Sequence, residues 1–148
     1  MNNRIIALAC VLAFFGTQPV LAEDNSEHVI KYRQYLMSSI SDHNKALKYL
    51  TAGKITQPEQ WLPHIRALND MAKMVEGAFP EDSDFGETDA KEAIWANKDD
   101  FNQKAQELVK ASDLMLEQIQ KNDREGVKKQ MSAIGDTCKS CHKKYREK

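Results

Sequence analysis

Cys138-Lys139-Ser140-Cys141-His142 is the segment of this 148-residue chain whose residue types and spacing can do chemistry. Thiols three residues apart share one face of a helix, and an imidazole follows directly. C-x-x-C-H is the attachment signal for c-type haem. The two thiols can meet the two vinyl groups on one porphyrin edge, and the imidazole can then bind iron as an axial ligand.

Three other chemistries use similar residues. A redox-active C-x-x-C opens a helix after a strand, whereas this pair sits near the end of a long helical pattern. A zinc site built on Cys138, Cys141 and His142 needs a fourth ligand, and no second Cys/His cluster stands near in sequence. A buried structural thiol pair is the third. The loop between the two cysteines is too small for a disulfide there to staple a fold.

The elements that position this motif follow from the rest of the chain. Met1–Arg4 is a short basic start, residues 5–15 are almost wholly apolar, and Val20-Leu21-Ala22 precedes Glu23-Asp24. That pattern predicts a signal peptide over 1–22, too short to span a bilayer, with a mature domain over 23–148 exported to the periplasm. Cleavage removes Cys10, so the motif thiols are the only two left. A formal net charge of −1 argues against nucleic acid as a partner. Sparse glycine and proline favour helix.

Four amphipathic helices are predicted, with no alternating strand pattern. The first, about 26–50, carries Val29, Leu36, Ile40, Leu47 and Leu50 on one stripe and stops before Gly53. The second, about 58–78, opens on a Thr56/Glu59 capping box and places Leu62, Ile65, Leu68, Ala72 and Val75 inward. Residues 77–88 form a loop pinned by Phe79 and Phe85. The third, about 89–121, uses Ile94, Phe101, Ala105, Leu108, Met115 and Ile119. The fourth, about 123–146, opens on an Asn122/Glu125 capping box. Val127, Met131, Ile134, Cys138, Cys141 and Tyr145 then alternate at steps of four and three, so both cysteines face the core. Short connections favour antiparallel neighbours, hence an all-α, up-down-up-down four-helix bundle with a covalent haem.

A leader, four helices and C-x-x-C-H close to the C-terminus resemble the class II cytochromes c. The resemblance covers the whole mature chain, and the text from Ile134 to Arg146 is similar to the family's haem helix. Gly135, one turn before Cys138, suits a close approach of the macrocycle. In one branch of the class, cytochromes c prime, the iron is five-coordinate and high-spin, and a bulky apolar residue covers the distal face. In the low-spin branch a first-helix Met binds the iron. The family pattern Arg-Gln-x-x-X falls on Arg33-Gln34-Tyr35-Leu36-Met37, which implies the Met-ligated branch with His142 and Met37 as axial ligands. Such ligation raises the reduction potential and closes the iron to outside ligands.

The function expected from this resemblance is a periplasmic one-electron carrier, not an enzyme, that docks redox partner proteins. The alternative is a five-coordinate protein binding nitric oxide or carbon monoxide. Arg33 and Gln34 are expected at the haem, Arg33 beside a propionate. Pairing of two copies through the first two helices is a further implication of the class. Without the family, Met37 reads as core filler. His43 lies too far along the helix from Met37 to share one iron with it. His28, His43 and His64 read as solvated or structural.

Overall fold

The computed structural model describes residues 26–147, so the signal peptide expected over 1–22 lies outside the described residues. Among the described residues five helices follow one another: α1 Ser26–Thr51, α2 Trp61–Ala72, α3 Ala93–Ala96, α4 Lys98–Gln120 and α5 Arg124–Tyr145. The four long ones form the expected bundle. α1 packs on α2 and α5, and α4 packs on the same two from the other side. Among the described residues there is no strand, only an isolated antiparallel bridge between Ala90 and Arg146. None of the described helices is long and apolar enough to cross a membrane.

The core follows the predicted stripes. Leu36, Ile40 and Leu47 of α1 meet Ile65 and Leu68 of α2, Phe101 and Met115 of α4, and Val127 and Ile134 of α5 in one buried cluster. Each such side chain contributes about 1.5–3 kcal/mol by leaving water. At the start of α1 it is Ile30 that is buried and Val29 that lies at the margin. Asn69 ties α2 to α4 by donating to Ser112 Oγ at 2.8 Å and Asp113 Oδ1 at 2.9 Å.

The element ends differ from expectation for local reasons. The Thr56/Glu59 box does not form; Pro58–Gln60 is instead one 3-10 turn without a side-chain cap. The second helix ends at Ala72, because Met74 and Val75 bond back only three residues, and a second 3-10 turn spans Glu76–Ala78. Residues 89–92 are not helical: Lys91 N–H donates to Tyr145 O and Glu147 N–H to Asp89 O, so this segment's bonds go to the chain end. Asn97, at φ −136° and ψ 51°, separates α3 from α4. The cap of α5 is Asp123, whose carboxylate accepts from Gly126 N–H, while Asn122 takes a positive φ of 55° to leave α4. Phe79 is buried as expected, but Phe85 is 62% exposed and pins nothing. Gly86 holds the loop instead: its φ is +118°, and a Cβ there would stand 3.1 Å from Ile30 Cδ1.

Candidate haem site

Residues 134–145 continue α5 without a break, so the four-and-three spacing is realised on a real helix. Cys138 and Cys141 are free, half-buried thiols packed against the core cluster. Burial pushes both thiols up, against a smaller opposing pull from Lys48 on Cys138 and Lys104 on Cys141. A redox or nucleophilic cysteine needs the opposite, a thiol pushed down to thiolate. Among the described residues no three His, Cys, Asp or Glu side chains gather closely enough to hold an ion, which leaves the zinc reading without a donor set.

The motif opens onto a cavity of about 470 Å³, within the usual ligand-pocket range of about 300–1,000 Å³. Cys141, His142 and Tyr145 from α5 line it together with Met37, Ser38 and Ser41 from α1. Val75, Phe79, Ile94 and Phe101 add apolar lining, while Asp42, Lys45, Asp89 and Arg146 bring charge to it. His142 is exposed; desolvation on its protein side lowers its pKa, and the Arg146 cation lowers it further. A neutral imidazole is the form that binds a metal. Gly135 has nothing within 4 Å of where a Cβ would stand, so space is open beside α5 one turn before Cys138.

A covalently attached haem fits this donor set. Two thiols lie on one helix face, an imidazole beside them lines the cavity, and the adjoining backbone is bare at Gly135. Its propionates would need cationic or hydrogen-bonding partners, and Arg33, Gln34 and Lys45 all line the cavity.

Arg33 itself is 3% exposed, and its guanidinium donates to Ser83 Oγ, Ser83 O and Thr88 Oγ1. It also stacks over Phe79 and Trp95 at 5.0 and 5.6 Å. Desolvation lowers its pKa, partly offset by Asp84. Gln34 donates to Glu87 O at 2.9 Å. Both side chains therefore hold the 80–88 loop against α1, a role sequence reasoning missed because the partners lie some fifty residues away.

His43 and His64 are not separately solvated: their Nδ1 atoms stand 2.9 Å apart. Asp100 was also missed. It accepts from Lys144 and from Tyr145 OH, tying α4 to the last turn of the motif helix.

A four-helix bundle with C-x-x-C-H on its last helix, opening onto a cavity with apolar and charged lining, defines a class II c-type cytochrome. The profile described as Cytochrome C' matches residues 28–146, and the chain belongs to that family, whose members carry one covalently attached c-type haem. Cytochrome c' from Pararhodospirillum photometricum is 28% identical over 82% of this chain and 98% of its own. A cytochrome c-556 from Agrobacterium tumefaciens (strain II Chrys) is 32% identical over 80% of this chain and 97% of its own. The crystal structure of cytochrome c' from Rubrivivax gelatinosus superposes with a TM-score of 0.78 at 25% identity, covering 84% of this chain and 98% of that one.

These findings correct the expected function. The family profile, the first relatives and the solved structures are cytochromes c', the five-coordinate branch, which contradicts the six-coordinate electron carrier ligated by His142 and Met37 and fits its alternative better. The physical reason is that a Met on the distal wall fits either branch by type. Here Met37 packs against the core cluster while lining the cavity.

Proposed function

We propose that this chain is a periplasmic, gas-binding haem protein of the cytochrome c' type, with one open iron position for a small diatomic such as nitric oxide or carbon monoxide. The observation that carries the reading is the cavity itself, whose lining Cys141 and His142 share with Met37. A solved cytochrome c prime of the same fold, from Alcaligenes xylosoxidans, is a nitric oxide complex, which supports this choice of ligand class.

Cys138 and Cys141 would anchor the haem through thioethers, and His142 would be the sole protein ligand to iron. When bound, the haem iron supplies a coordination position that accepts a neutral diatomic. The chain's own residues set who reaches it. Met37, in the cavity lining, would shield the open iron position with a flexible apolar side chain that can turn aside for a small ligand. Val75, Phe79 and Phe101 give part of the lining an apolar surface on which a neutral diatomic loses little hydration. Arg33 uses three N–H bonds on the 80–88 loop, leaving donors of its five for a propionate, with Gln34 and Lys45 on the same rim. The reading includes a leader over 1–22, a domain over 23–148 and no enzymatic turnover. It also includes a homodimer through α1 and α2, supported by exposed Tyr32, Tyr35 and Tyr49 on α1.

The test is the visible spectrum of the purified, haem-loaded protein, oxidised and reduced, with and without carbon monoxide. A broad high-spin spectrum that shifts on adding carbon monoxide is expected. A sharp low-spin spectrum indifferent to carbon monoxide would overturn the reading.

A further inference from the structure

His43 and His64 take no part in the haem site, and they meet between two rigid helices. His43 sits in the middle of α1 and His64 in α2, 21 residues apart in sequence. Their rings stand at 60° with centroids 5.1 Å apart, and both side chains are half-buried. The Nδ1 atoms face one another at 2.9 Å. One neutral ring can donate Nδ1–H to the other, but that exhausts the contact as a hydrogen bond. The same spacing has a second use. Two metal–nitrogen bonds of about 2.0–2.1 Å put their nitrogens about 2.9 Å apart at the right angle of a tetragonal copper(II) site and about 3.3 Å apart at the tetrahedral angle of zinc, a small opening of the pair.

We propose that His43 and His64 form a two-nitrogen chelate for a divalent transition-metal ion of the zinc and copper class, which clips α1 to α2. Each ring must carry its proton on Nε2 and turn about its side-chain bonds, so that both Nδ1 lone pairs aim at the ion instead of at one another. Solvent on the open side supplies the remaining ligands, since no third protein donor gathers with the pair among the described residues. Imidazole nitrogen suits copper and zinc over the hard cations, with copper the tighter. Ile65, Leu47 and Leu68, all fully buried beside the pair in sequence, hold the two helices in place, so little order is lost on binding. Desolvation and then the neighbouring His43 lower the pKa of His64, favouring the neutral, metal-competent form.

The test titrates zinc alone into the haem-loaded protein by calorimetry. One ion per chain is expected, with His43→Gln and His64→Gln each weakening binding at least tenfold. His28→Gln, which alters an exposed histidine on α1, should leave binding unchanged. Undetectable zinc binding, or binding that survives both substitutions, would overturn the proposal, as would binding lost only in His28→Gln. Copper(II) bound to the unsubstituted protein gives an independent reading that needs no variant to fold. Electron paramagnetic resonance showing two imidazole nitrogens supports the chelate, and one or none refutes it.

Discussion

Arg33 donates to both oxygens of Ser83, to Oγ at 3.1 Å and to the main-chain carbonyl at 2.8 Å. A buried cation on α1 thus fastens the loop that closes one side of the cavity. Arg33→Ala removes hydrogen bonds to a charged donor, each worth about 1.5–3 kcal/mol, and leaves buried Ser83 without that partner. Thermal unfolding of the haem-loaded protein should show a loss of about 3 kcal/mol, partly restored by Arg33→Lys. A loss below about 0.5 kcal/mol would mean the loop is held by something else.

Replacing Cys138 and Cys141 together by Ala should abolish covalent haem. Haem staining after denaturing electrophoresis reads this directly. Each single variant should retain one thioether and still stain. A stained band from the double variant would refute attachment at these positions.

Met37→Gly should leave the resting spectrum high-spin and speed carbon monoxide binding at least tenfold, because it removes the cover and not a ligand. Stopped-flow mixing measures the rate. A spectrum that changes from low-spin to high-spin on this substitution would return the iron bond to Met37.

Asp100 gives a pH dependence. Hydrogen bonds from Lys144 and then from Tyr145 lower its pKa below the ordinary 3.8. The folded value is depressed, so the contribution is complete above about 3.8 and is lost as pH falls through the folded value. Asp100→Asn should therefore flatten the loss of stability below about pH 4 and have little further effect on its slope at neutral pH. Equal acid sensitivity of the two proteins would assign the loss to other carboxylates.

Asp123→Ala should cost about 1 kcal/mol, since it strips the cap from the motif helix. Gly126→Ala should destabilise as well, because a Cβ there would stand 2.5 Å from Asp123 Oδ2. Denaturant unfolding of both variants checks this; a neutral Gly126→Ala would show that the cap rearranges freely.

Much of this molecule was legible in the chain. Helical periodicity placed Leu36, Ile40, Ile65, Leu68, Phe101, Met115 and Ile134 inside, because burial of one stripe per helix is a local pattern read at steps of three and four. The C-x-x-C-H motif is local too, and its five residues carry their own geometry. Helix ends were read less well, since competing caps one residue apart, Asn122 and Asp123, differ only in which backbone conformation the turn adopts.

The amino-acid sequence alone thus determined the class of fold, the attachment motif and the face it occupies, all consequences of spacing along one helix. Tertiary structure decided what depends on distant segments meeting. It placed Arg33 against Ser83 and Thr88, His43 against His64, and Asp100 beneath Tyr145. It also packed Met37 on the core cluster and set it in the lining of the cavity that His142 shares. A thioether is the same residue whether it binds iron or shields it, so only its surroundings and the company of the folded family separate the two.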